Sequence, residues 1–361
     1  MLVDEFDFEL PEELIAQHAV PRGESRMLVL RRQAATVEHG SIADLPRHLR
    51  PGDLLVVNDT RVFAARLLGE RVPSGGAVEC LLIARTPRTP GTLRTLRTLP
   101  DSEVWDALMH PGQKLKPGAI VRFEGEAGAL NGEVLNRRFL GRRTVRLELE
   151  RGASITSVID AIGHIPLPPY IKRADTPQDR ERYQTLFASA RGSIAAPTAG
   201  LHFTPQILEA LDQAGVERTA ITLHVGYGTF KPVRTTDVES HVVDPEEYAI
   251  GESAAESINR AVAERRRVIV VGTTTTRALE DSAIRGNGRV TAGSAEATAF
   301  IYPGFHFQII SGLLTNFHLP KSSLLMLVAA FGGRQDILTA YRTAVGRGYR
   351  FYSYGDAMLI L

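Results

Sequence analysis

Apolar residues change their spacing along the chain, and the changes divide it into three stretches. From Gly52, GDLLVVNDTRVFAARL reads as a buried strand, LLVVN, then a turn at Asn58-Asp59-Thr60, then a second apolar run. Between about Arg71 and Gly152 the texture becomes short alternating pieces, AVECLLIAR, AIVRFEG, GEVLNRRFL and TVRLELE, separated by Gly and Pro. Several short strands with no helix between them predict a small antiparallel barrel. After Ile155 helical and continuous apolar segments return. ESAAESINRAVAERRR places Ala254, Ile258, Ala261 and Val262 on one stripe and runs directly into VIVVG, so an amphipathic helix feeds a buried strand.

Such alternation predicts a layered α/β domain. The expected architecture is one α/β domain made of both chain ends, residues 1–70 and 154–361, with a β-barrel domain inserted at residues 71–153. Within the insert, RTPRTPGTLRTLRTLP has no acidic residue and is punctuated by Pro. Its residues 88–100 are expected to form a loop on the barrel and no part of its core.

Composition narrows the class. A chain of 361 residues, 43% of them hydrophobic, is long enough to bury two cores. Cys80 is the single cysteine, which excludes an internal disulfide and a CxxC metal or redox pair; in VECLLIA it reads as a small buried strand residue. The N-terminal MLVDEFDFELPEELIA carries acids where a secretory signal carries positive charge, and no apolar run approaches a membrane span, so a cytoplasmic protein without a membrane partner is expected. Net charge is +1, but residues 71–152 hold 14 Lys/Arg against 9 Asp/Glu, a local surplus that suits contact with phosphates. Metal catalysis is not expected, because there is no HExxH spacing and His202, His224, His241, His306 and His318 lie in separate segments.

Four segments are richer in Gly, Thr, His and Asn than packing requires. AAPTAGLHFTP, with Thr198 and Gly200, makes a tight turn before a helix capped by Thr204 and opened by Pro205, which presents His202 at the junction. TLHVGYGTFKPV opens from a strand into a loop where Gly226 and Gly228 allow close backbone approach, and Tyr227 and Phe230 offer purine-stacking faces. VIVVGTTTTRALE runs strand, Gly272, polar turn, helix. Its threonines, Thr273, Thr274 and Thr275 among them, suit ribose hydroxyls or a carboxylate, and Arg277 one turn on could add a charge or pair with Glu280. In the apolar stretch Tyr302 to Gly333, TNFHLPKSS is a polar interruption that is costly unless satisfied, which points Asn316, His318, Lys321 and Ser322 to a pocket. The C-terminal RGYRFYSYGDAMLIL is aromatic-rich; Phe351 and Tyr352 read as core residues of a last strand, with stacking on nucleotides as the other reading.

Together, NDTRVFAARL, GHIPLPPYIKR, RYQTLFA, APTAGLHFT, LHVGYGTFKPV, VGTTTTRALE, YPGFHFQIISGLLTNFHLP and YRFYSYGDAMLI resemble, in order, the signature segments of the S-adenosylmethionine:tRNA ribosyltransferase-isomerase family of queuosine biosynthesis. The resemblance spans nearly the whole chain and is loosest in the barrel. It implies a mixed α/β domain with an inserted six-stranded antiparallel β-barrel. It also implies that S-adenosylmethionine is a consumed ribosyl donor and not a cofactor, that the partner is tRNA carrying 7-aminomethyl-7-deazaguanine at the wobble position, and that epoxyqueuosine tRNA, adenine and methionine are the products. A base would take a proton next to the sulfonium, adenine would leave, the amine of the modified base would attack, and ring closure would expel methionine.

On that resemblance His202 or His318 is the expected base and proton shuttle, with Asp59 and Arg61 organising the site. Thr198, Gly200, Asn316 and the Gly226-Tyr227-Gly228-Phe230 loop would bind substrate, with Tyr227 and Phe230 on the purine. Thr273, Thr274, Thr275 and Arg277 would hold ribose or the methionine end. A monomer is expected. Two rivals remain: a methyltransferase using HVGYGTF as its Gly-rich loop, although no acidic ribose-binding residue ends the next strand, and a tRNA-binding protein without catalysis.

Overall fold

The computed structural model describes every residue except Ala35, 87–100, Phe139, Leu140 and Lys231, and of Phe230 only the backbone. The loop expected at residues 88–100 therefore lies outside the described residues. The chain divides into two compact units, one of Met1–Arg61, Pro168–Ala174 and Glu181–Leu361, the other of Val62–Leu167 and Asp175–Arg180.

The larger unit is built on a nine-stranded mixed sheet. Its strand order is Gly293–Ala297, Glu246–Ile250, Glu217–Leu223, Leu54–Asn58, Val268–Val271, Gly312–Asn316, Ala357–Ile360, Arg26–Arg31, Thr36–Ser41. The middle strands Leu54–Asn58, Val268–Val271 and Gly312–Asn316 pair parallel with one another, Gly312–Asn316 meets Ala357–Ile360 antiparallel, and all three are fully buried, which is why their sequences are rich in continuous apolar residues. Two apolar layers cover the sheet. One gathers Leu54, Val56, Val268, Val270 and Leu313 with Ile258, Leu279 and Phe351, and the other gathers Leu55, Val57, Ile269, Val271 and Leu314 with Phe203, Ile207 and Leu211. The expected amphipathic helix is Glu252–Ala263, with Ala254, Ile258 and Ala261 buried.

The smaller unit is a closed antiparallel barrel of six strands: Arg66–Val72, Ala77–Arg85, Ser102–His110, Ile120–Gly125, Gly128–Arg137 and Arg142–Arg151. Its interior is packed by Leu67, Val78, Cys80, Leu82, Trp105, Phe123, Val145 and Leu147. Cys80 is fully enclosed and burial pushes its thiol up to about 12, so it fills space and is chemically quiet. The expected boundary after residue 70 needs correction, because the strand Arg66–Val72 runs straight across it and pairs along both edges inside the barrel. A closed barrel has no free edge at which to stop short. No helix among the described residues is long and apolar enough to cross a membrane.

Candidate functional site

Val268–Val271 and Gly312–Asn316 are parallel neighbours, so the loops that leave their carboxyl ends emerge side by side. In open α/β sheets that is where ligands bind, since the strand ends supply backbone groups that the sheet does not use. Here the two loops carry Gly272-Thr273-Thr274 and Asn316-Phe317-His318. The turn containing Thr198 and the segment Tyr352-Ser353 close over them, and a cavity of about 320 Å³ results. Its wall includes Tyr170, Thr198, Thr229, Thr273, Thr274, Thr315, Asn316, His318, Lys321, Tyr352 and Ser353.

Asn316 organises one wall. Its Nδ2 donates to the Tyr352 carbonyl at 3.0 Å, and its Oδ1 accepts from the Thr198 hydroxyl at 3.2 Å. A carbonyl only accepts, so the amide orientation is fixed, and the 3.2 Å contact to His202 Nε2 must be donated by Asn316 as well. His202 therefore carries its proton on Nδ1, which donates to Ser25 Oγ at 2.9 Å. Burial, partly countered by the charge of Asp356, brings the His202 pKa down to about 4. The expectation that His202 is a base needs correction: both ring nitrogens are occupied, and the ring stands behind Asn316 and not in the cavity wall.

His318 is differently placed. It lines the cavity, its Nε2 meets Thr315 Oγ1 at 2.9 Å, and its Nδ1 has no protein partner among the described residues. Burial takes its pKa down to about 3, so the ring is neutral and holds a lone pair. Also in the wall, Tyr170 and Tyr352 stack with ring centroids 3.9 Å apart, and the Tyr170 hydroxyl is hydrogen-bonded to Ser353 Oγ. Tyr352 has φ 73°, an uncommon backbone for a bulky residue and a mark of constraint at sites. Phe351 is in the core as expected, but Tyr352 is not a core residue, and the last strand is Ala357–Ile360.

Several other expected residues are not brought to the cavity. Gly226 donates its N–H to Glu246 at 3.0 Å, Gly228 packs where a Cβ would lie 2.6 Å from that of Asp244, and neither glycine is part of the cavity wall. Tyr227 is absent from the cavity wall, and the side chain of Phe230 lies outside the described residues. Gly200 is buried where a Cβ would come within 2.8 Å of Thr185. Thr275 and Thr276 turn their hydroxyls back to the carbonyls of Val271 and Gly272. Asp59 accepts from Thr222 at 2.6 Å and from Ser189 at 2.9 Å, away from the cavity wall, and Arg61 is exposed.

Arg277 pairs with Glu246, not with Glu280, which caps the amides of Gln308, Ile309 and Ile310. Three more of its five donors go to the carbonyls of Asp244, Ala297 and Ala299, and Arg277 is not part of the cavity wall. Sequence reasoning missed Glu246 and Tyr170. Neither has a local signal, because Glu246 lies 31 residues from Arg277 and Tyr170 sits in a loop of prolines. Among the described residues no three His, Cys, Asp or Glu side chains converge as metal ligands would.

A family model described as queuosine biosynthesis protein matches residues 3–360. A protein of Desulfitobacterium hafniense named S-adenosylmethionine:tRNA ribosyltransferase-isomerase is 49% identical over 362 residues, 100% of either chain. The protein of the same name in Moorella thermoacetica is 47% identical over 362 residues, again 100% of each. Among solved structures, an S-adenosylmethionine tRNA ribosyltransferase from Thermotoga maritima is similar with a TM-score of 0.53 and 34% identity, covering 99% of this chain and 100% of that one.

Proposed function

Because this chain belongs to the queuosine biosynthesis protein family, as an S-adenosylmethionine:tRNA ribosyltransferase-isomerase, we propose that its 320 Å³ cavity is where the donor is consumed and meets a 7-aminomethyl-7-deazaguanine in tRNA. One observation carries this reading. Segments near residues 198, 273, 316 and 352, far apart in sequence, supply the wall of one cavity in which Lys321 has the only formal charge among the described lining residues. The volume lies in the range of small-molecule sites, which runs from about 300 to 1,000 Å³. The comparisons give no support to a methyltransferase.

In this reading His318 is the base. The reading takes the tautomer in which Nε2–H is donated to Thr315 Oγ1, which leaves the Nδ1 lone pair without a protein partner among the described residues, and burial keeps the ring neutral. His202 is a positioning residue: through Asn316 it fixes the Thr198 hydroxyl and the Tyr352 backbone. The faces of Tyr170 and Tyr352 take over the purine-stacking role that was expected of Tyr227 and Phe230. In this reading S-adenosylmethionine is consumed as a substrate, and the enzyme works on tRNA in the cytoplasm.

The deciding experiment supplies methyl-labelled S-adenosylmethionine and tRNA bearing the modified base. Adenine should be released and the label should stay in free methionine; label entering RNA would overturn the reading. Replacing Asn316 by Ala should lower kcat/KM about a hundredfold, because misplacement of groups near 1 Å is enough for such a loss. Steady-state rates with an unchanged circular dichroism spectrum would check this, and a loss under threefold would rule out the organising role.

A further inference from the structure

The helix Thr273–Arg285 begins at the cavity, and its beginning lacks the group that such positions normally have. Its N-cap is Gly272 at φ 92°, with no side-chain cap. The first amide with an intrahelical bond is that of Thr276, to the Gly272 carbonyl at 3.2 Å. The amides of Thr273, Thr274 and Thr275 have no partner among the described residues, and the summed peptide dipoles leave partial positive charge there. A second observation is independent of the helix. Thr274 lines the cavity at 7% exposure, and its Oγ1 is enclosed with no hydrogen-bond partner among the described residues.

An enclosed hydroxyl without a partner is costly in the empty site, and a ligand that accepts a hydrogen bond there would remove the cost. The wall says which kind of ligand. Among the described lining residues there is no Asp or Glu, and the one formal charge is Lys321, whose Nζ is held at 2.9 Å from both Asp4 and Asp7. The helix start is thus an acceptor-seeking pole in a cavity free of competing carboxylates.

We propose that the N-terminus of the helix Thr273–Arg285, with the Thr274 hydroxyl, is the subsite for the carboxylate of the donor's methionine moiety. The assignment rests on the reading of the cavity as the donor site and chooses one end of the donor for one end of the cavity. Thr275 and Thr276 take no part through their hydroxyls, which are bonded within the helix.

The test measures kcat and KM for adenine release, varying the donor at saturating substrate tRNA and the tRNA at saturating donor, with S-adenosylmethionine and its decarboxylated analogue, on the unaltered enzyme, Thr274→Val and Thr274→Ser. The unaltered enzyme should lose roughly a hundredfold in kcat/KM with the analogue, mainly in KM, as expected for two charge-assisted bonds. Thr274→Val should cost about tenfold with S-adenosylmethionine but less than about twofold with the analogue, while Thr274→Ser keeps the unaltered values. Equal losses of Thr274→Val with both donors would overturn the subsite. So would a raised KM for tRNA with both, the result expected if an RNA phosphate sits there, or an unaltered enzyme indifferent to the carboxylate, a result that needs no variant to fold. Adenine release from neither donor would instead sink the donor reading, and the subsite with it.

Discussion

Acidification from pH 6.5 to pH 4 is expected to remove roughly 6 kcal/mol of unfolding free energy through His202 and His318 alone, at about 1.4 kcal/mol per pH unit for each ring. Unfolded, each imidazole takes up a proton near 6.5; folded, His202 does so only near 4 and His318 near 3, both because burial disfavours the charged ring. The unfolded chain therefore binds more protons throughout that interval. The contribution is complete above about 6.5, falls as pH drops, and is exhausted for His202 near pH 4 and for His318 near pH 3. Urea unfolding at several pH values would read the slope, and His202→Asn and His318→Gln should each flatten it. Superimposable curves for either variant and the unaltered protein would show that the ring is not held neutral by the fold.

Replacing Arg277 by Met should destabilise the larger unit by about 3–5 kcal/mol, the usual consequence of leaving one partner of a buried ion pair alone. Glu246 is 4% exposed, and its other oxygen accepts from Gly226 N–H at 3.0 Å and Thr229 Oγ1 at 2.7 Å. Without the guanidinium that carboxylate must stay charged in the interior or take up a proton, and the Gly226–Phe230 loop loses its anchor to the helix Thr273–Arg285. Adding Glu246→Gln should recover part of the loss, since an amide oxygen still accepts from Gly226 and Thr229 while the uncompensated charge is gone. Denaturant midpoints of the single and double variants measure this, and a double variant less stable than Arg277→Met would contradict it. Activity should fall with the same substitution, because Thr229 is part of the cavity wall.

The boundary strand Arg66–Val72 and the strand Ser102–His110 show where reading the sequence stops. The first sits in an apolar run continuous with the turn before it, so no change of texture marks its start. The second alternates only in part, with burial interrupted at Glu103 and Val104. The remaining barrel strands carry clear alternation, and that is enough to predict a closed sheet without giving its limits.

By itself the sequence determined the order of elements, the buried central strands, the barrel, and the four polar segments that carry the chemistry. These are properties of neighbours in the chain: a run of apolar residues, a period of two, a Gly-Thr turn after a strand. Tertiary structure alone decided which polar group of each segment reaches the cavity. Thr274 sits in the cavity wall with its hydroxyl enclosed and without a partner among the described residues, while Thr275 and Thr276 return theirs to their own helix. His318 lines the cavity with Nδ1 unpartnered among the described residues, while His202 is hydrogen-bonded at both nitrogens and lies outside the wall. Arg277 is spent on Glu246. The physical reason is the same in each case: a buried polar group must find a hydrogen-bond partner, and the partner is chosen by distance in space, which spacing along the chain does not encode.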